Sequence, residues 1–143
     1  MTRTNESIHL REQTQNAFSA ASDSLHLGLD LDGLLDEATG FFTALTSIWP
    51  GRVVIISYRN DYAKAEADLA RLNITYDELI LVDSFDAKAD VIVEKKIRVY
   101  FDDQPEMIKN IAEGVHVMLY RNGGNFDFED RLWMFSDRTA KLL

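Results

Sequence analysis

The chain has 143 residues, 46% of them hydrophobic and 27% charged, which suits one domain that buries roughly two thirds of its unfolded surface. Fifteen Lys and Arg against 24 Asp and Glu give a formal net charge of −9, a balance that repels phosphate backbones and anionic lipid and argues against direct nucleic-acid or membrane-surface binding. The absence of cysteine excludes disulfides, thiolate metal sites and thiol nucleophiles. No apolar run approaches the 18 or so residues of a membrane span, and residues 1–24 lack a secretory apolar core, so a cytoplasmic globule is expected.

Residues 1–24 carry only Ile8, Leu10, Ala17 and Phe18 as sizeable apolar side chains after Met1. They predict an accessory helix or partly ordered arm, capped by Thr4 or Asn5, ahead of a main domain at 25–143. From Leu25 onward strand and helix alternate. Residues 25–30 form a short apolar run ending in acid, and 39–48 read as a helix with Phe41, Phe42, Leu45 and Ile48 near one face. Trp49, Pro50 and Gly51 make a turn. Residues 52–57 contain Val53, Val54, Ile55 and Ile56 in succession, which suits a strand buried on both faces. A helix follows at 61–72, a strand at 79–82, a helix at 86–95, a strand at 97–101, a helix at 104–113 and a fifth strand at 115–120. The tail opens on a Gly123–Gly124 turn and ends in an unassigned stretch around 132–135.

Five apolar runs separated by helices predict βαβ units: an α/β, three-layer, Rossmann-like fold with a parallel sheet of about five strands and helices on both faces. Ligands of such open sheets sit at the carboxyl ends of the strands. There the first strand presents Asp30 and Asp32, the second Ser57, Tyr58, Arg59 and Asn60, and the fourth Asp102 and Asp103, while Lys88 opens the helix after the third. Carboxylates are hard oxygen ligands for Mg²⁺, and a lysine with a hydroxyl suits phosphate oxygens. Each element also has an ordinary structural use: Asp-x-Asp as a turn, Asp-Asp and Ser57 as helix caps, Lys88 as a solvated charge.

The order and placement of these residues resemble the haloacid dehalogenase-like (HAD) phosphotransferase superfamily. The resemblance lies in LHLGLDLDG at 25–33, VVIISYRN at 53–60, Lys88, and VYFDDQPEMI at 99–108, and spans about residues 25–120. Leu34 stands where the family usually has Thr. The resemblance implies that Asp30 is a nucleophile forming an aspartyl-phosphate and that Asp32 is the general acid and base. It further implies that Mg²⁺ is held by Asp30, the backbone carbonyl of Asp32 and Asp103, with Asp102 acting through water. Ser57 and Lys88, joined by backbone N–H groups of the Asp30–Asp32 turn, would hold the phosphoryl group, with Tyr58 a further candidate phosphate contact. Asp32 marks the phosphotransferase rather than the dehalogenase members. A receiver domain is disfavoured, since its acidic pair follows the first strand.

The gaps where the family inserts caps hold 24 residues between Asp32 and Ser57 and five between Val82 and Lys88, too few for a cap domain. The expected function is that of a capless Mg²⁺-dependent phosphomonoester hydrolase with a phosphorylated substrate and an open active edge, or one covered by a second subunit of a homo-oligomer. Two rivals stand beside it: a regulatory or binding subunit with weak catalysis, and a nucleic-acid-end phosphatase module that works with a partner. Arg59 and Asn60 are candidate substrate contacts, Arg59 being equally suited to a salt bridge. Phe126, Phe128, Trp133 and Phe135 suit packing or a subunit contact better than base stacking. His9, His26 and His116 show no ligand spacing, and no Walker loop is present.

Overall fold

The structure is a computed structural model that describes residues 25–133; the arm expected at 1–24, His9 and Phe135 lie outside them. Strands β1 (His26–Leu29), β2 (Val53–Ser57), β3 (Glu78–Leu81), β4 (Ile97–Asp102) and β5 (His116–Leu119) form one sheet in the order β3-β2-β1-β4-β5. Every pairing in it is parallel. Helices α1 (Thr39–Ile48), α2 (Tyr62–Arg71) and α3 (Phe85–Glu94) fill the first three connections, as parallel strands require.

Alternation along the strands feeds two buried clusters. Leu27, Leu29, Val53, Ile55 and Leu79 pack with Phe42 of α1 and with Ala65 and Leu69 of α2. Val54, Ile56, Ile97 and Tyr100 pack with Ile92 of α3. β2 is buried along its whole length, which accounts for its unbroken aliphatic run. Side-chain caps begin the later helices: Asp61 accepts from the Lys64 N–H (3.0 Å) and Ser84 from the Ala87 N–H (3.1 Å).

β4 departs from simple alternation. His26 pairs with Ile97 but Leu27 with Val99, so Arg98 is an extra residue on that strand. The bulge puts Ile97 and Tyr100, three apart, on one face. Their side chains close over Gly28, where a Cβ would come within 2.9 Å of Ile97 Cδ1 and 3.0 Å of Tyr100 Cδ2. Only glycine allows so close an approach.

Most element ends fall within two residues of the sequence expectation. The helix expected at 104–113 does not form. One 3-10 turn, Pro105–Ile108, stands there. Asp102 Oδ1 accepts from the Gln104 N–H (2.9 Å), bending the chain sharply; Ile108 and Ile111 pack on the α3 cluster, and Asn110 bonds Asp86 of α3 (2.6 Å). Local side-chain bonds and packing thus override the helical pattern. The tail forms a short antiparallel hairpin, β6 (Phe126–Asp127) with β7 (Leu132–Trp133). Phe128 and Trp133 pack edge-on against Phe126, whose ring also lies 3.6 Å from the Arg121 guanidinium carbon. Among the described residues both possible insertion points hold only short connections, α1 with β2, and the start of α3. None of the described helices is long and apolar enough to cross a membrane.

Candidate active site

Asp30 is the first residue past β1, and its N–H donates to the Phe101 carbonyl (3.0 Å), which sets it beside the end of β4. Lys88, in the first turn of α3, points inward and is completely buried. Its ammonium donates to Asp30 Oδ1 (2.8 Å) and Asp102 Oδ2 (3.0 Å). Lys95, just past α3, pairs instead with Glu78 at the start of β3 (2.8 Å).

Asp102 is fully engaged. Lys88 and the Tyr100 hydroxyl share its Oδ2, and the Gln104 N–H takes its Oδ1. Asp103 is held differently. Asn122 Nδ2 (3.1 Å) and Asn125 Nδ2 (3.0 Å) both donate to Oδ2, and no hydrogen-bond donor among the described residues reaches the buried Oδ1. One oxygen each of Asp30, Asp102 and Asp103 lie within 4.8 Å of one another.

Fully ionised, three buried carboxylates around one ammonium would carry an excess of two negative charges. Burial, then repulsion from Asp102, raises the Asp30 carboxyl well above its ordinary value despite Lys88. Burial is also the main cause that pushes Asp103 up to about 6. Lys88 is held cationic, since Asp102 and Asp30 together outweigh the cost of burial. Burial, followed by the Asp102 charge, keeps the Tyr100 phenol protonated. The donor set fits a divalent cation: hard oxygens, an excess charge of two when ionised, and one carboxylate oxygen without a donor.

No known family model, curated protein or solved structure matches this chain.

Asp32 stands apart from the acidic triad. Both of its oxygens accept from Arg59, at 2.9 Å from Nε and 2.6 Å from Nη2, and Arg59 Nη1 reaches Asp68 of α2 at 2.7 Å. Arg59 is buried with its guanidinium engaged, which is the salt-bridge alternative of the sequence. Burial raises the Asp32 carboxyl even against the Arg59 hydrogen bonds. The hydrogen bond from Arg59 lowers Asp68. Ser57 ends β2, wholly buried, and its hydroxyl has no partner among the described residues. Tyr58 is exposed, its ring beside Phe85 (5.7 Å), and Asn60 is exposed. Tyr58, Arg59 and Asn60 line a cleft of about 750 Å³ together with Val82, Ala87 and Val91.

Tyr100, Asn122, Asn125 and Asp68 join these clusters without having been singled out from the sequence. Tyr100 lies two positions before Asp102 on one strand, which puts both on the same face, so alternation could have found it. Asn122 and Asn125 flank the glycine pair expected to be no more than a turn. His26 bonds the Lys95 carbonyl (3.0 Å) and has a structural role.

Proposed function

We propose that the chain is a HAD-like, Mg²⁺-dependent phosphomonoester hydrolase with a three-layer, Rossmann-like fold, working through an aspartyl-phosphate on Asp30. The observation that carries this reading is the buried set of Asp30, Asp102, Asp103 and Lys88, in which Asp103 Oδ1 has no donor, with the unpartnered Ser57 hydroxyl ending the neighbouring strand. Asp30, Asp103 and the Asp32 carbonyl would hold Mg²⁺, which when bound offsets the negative charge of site and phosphate so that a dianion can approach.

In the first step an Asp30 oxygen attacks phosphorus and the ester P–O bond breaks. The leaving oxygen takes the proton of Asp32, whose carboxyl burial favours in the protonated form. In the second step water attacks phosphorus, Asp32 accepts its proton, and the bond to Asp30 breaks, releasing inorganic phosphate. Lys88 and Ser57 hold phosphoryl oxygens, with Lys88 staying cationic throughout. Arg59 orients Asp32 through two parallel bonds, which use one lone pair on each oxygen and leave the others for proton transfer. Asp102 has an indirect part, through water, since three protein donors already engage it and leave one lone pair on Oδ1.

The substrate is a phosphorylated molecule of unassigned identity. The absence of cysteine and of a described membrane-crossing helix agrees with a cytoplasmic site of action. The tight Arg59–Asp32 pair favours a second reading, a regulatory subunit with weak catalysis. One assay separates the two. An aryl phosphate should be hydrolysed with Mg²⁺, not in EDTA, and not by Asp30→Asn, with a phosphate mass increment trapped on the peptide holding Asp30. Equal turnover by Asp30→Asn, or label elsewhere, rejects the mechanism; no turnover over a broad panel of phosphomonoesters and phosphopeptides favours the regulatory reading.

A further inference from the structure

We infer that Asn122 and Asn125 are the positioning residues of Asp103, and that Asn122 also fixes Asp103 against the loop that carries Asp30. The inference rests on the reading of Asp30 and Asp103 as cation ligands and extends it to residues outside the acidic set.

Both asparagines are buried, Asn122 at 3% and Asn125 at 0% exposure. Asn122 Nδ2 spans two parts of the site, donating to the Gly33 carbonyl (2.6 Å) and to Asp103 Oδ2 (3.1 Å). Asn125 Nδ2 donates to Asp103 Oδ2 (3.0 Å) and to the Asp103 backbone carbonyl. Their amide orientation is imposed from behind. Asn122 Oδ1 accepts from the N–H groups of Gly124 (2.7 Å) and Asn125 (3.0 Å), and Asn125 Oδ1 accepts from the Asn122 N–H (3.1 Å). Flipping either amide would set N–H against N–H, so each Nδ2 must face Asp103.

The chemistry of these donors separates a ligand holder from a structural brace. A buried carboxylate that serves only the fold is normally paired with a cation, as Asp102 is with Lys88. Neutral amides orient Asp103 without cancelling its charge. The other group that hydrogen-bonds Asp103 is the Asp30 carboxyl, while both amides converge on Oδ2 and leave Oδ1 without an amide donor. An oxygen-seeking divalent ion needs such an atom, and outer partners of this kind set its affinity.

The test uses Mn²⁺ as probe on the full chain: wild type, Asn122→Ala, Asn125→Ala, and Asn110→Ala as a control for loss of an exposed amide. Calorimetric titration is run beside melting in EDTA and in Mn²⁺. Either site variant should bind Mn²⁺ about 10–100-fold more weakly, show a smaller Mn²⁺-induced rise in Tm, and regain turnover in excess Mn²⁺, while the control matches wild type. Folded variants that bind Mn²⁺ as tightly as wild type overturn the inference and leave the metal reading standing. A wild type that binds no Mn²⁺ overturns the metal reading, and the inference with it. Should Asn125→Ala fail to fold, Asn122→Ser, which spares the Asn125 bonds to Asp103, is judged by the same two criteria.

Discussion

Two charged clusters begin from neighbouring residues of one loop, Asp30 and Asp32, and differ in how completely their charges are matched. Around Arg59 each of Nε, Nη1 and Nη2 has a carboxylate oxygen, and Arg71 adds a further contact to Asp68 (3.3 Å). Around Lys88, one ammonium serves two carboxylates directly and a third carboxylate has only neutral donors. A marginally stable fold tolerates unmatched buried charge only where a proton or a ligand offsets it. The matched cluster is therefore suited to holding a side chain still, and the unmatched one to receiving something.

The largest expected effect falls on the matched cluster. Asp32→Asn should lower turnover of an unactivated phosphomonoester by about 10²–10⁴-fold, the usual worth of general acid–base assistance. With an aryl phosphate the same variant should accumulate phosphoenzyme, since formation needs little protonation but hydrolysis lacks its base. Intact turnover would show that Arg59 holds Asp32 for the fold alone.

Lys88→Met comes next and strikes the unmatched cluster. It strands Asp30 and Asp102 without their cation and should cost about 3–5 kcal/mol in chelator, read from urea denaturation. Mg²⁺ should recover part of that loss. A midpoint equal to wild type would erase the contrast between the clusters.

The pH response separates Asp30 and Asp103 from Asp68 by sign, with Asp32 raised by burial like the acidic pair. Asp30 and Asp103 have folded pKa values above the ordinary 3.8, Asp103 at about 6. The folded state then binds their protons more tightly, so their contribution to stability is present at low pH and lost as pH rises from about 4, through about 6 for Asp103 and through its own raised value for Asp30. Asp68, lowered by Arg59, acts oppositely: its contribution is present above 3.8 and lost as pH falls through its folded value. In EDTA, Tm should fall between pH 4 and 7, and Mg²⁺ should remove most of that fall. A metal-free Tm that climbs through the same window reverses the assignment. The smallest effect belongs to Arg71→Ala: its pair with Asp68 is exposed and should change stability by less than about 1 kcal/mol.

The legible parts of this molecule are those where one residue decides. The aliphatic run of β2 marks a central strand because both its faces are covered, and Asp30, Ser57, Asp102 and Asp103 stand out because polar groups end apolar runs. Lys88 was legible as a lone cation at a helix start, although its complete burial was not. Tyr100 was within reach of alternation from Asp102, two positions on, but an aromatic ring inside an apolar strand reads as core. Following the fifth strand puts residues 121–125 at the active edge, but Asn122 and Asn125 do not stand out there as donors: amides beside glycines signal a turn, and their partners lie 19 or more positions away. The stretch at 104–113 misled for the same reason: the Asp102 carboxylate bends its start, and Ile108 and Ile111 pack on residues of other elements.

Gly28 has a consequence for how this chain can change over generations. Any inherited replacement there adds at least a methyl group, which would collide with Ile97 and with the ring whose hydroxyl bonds Asp102. Such crowding costs about 1–3 kcal/mol even where neighbours yield. Leu27 and Leu29 face the other cluster and can drift among aliphatic residues of similar volume. A side chain at Gly28 would need both Ile97 and the Tyr100 ring to give way, so the glycine leaves room for the phenol that bonds Asp102.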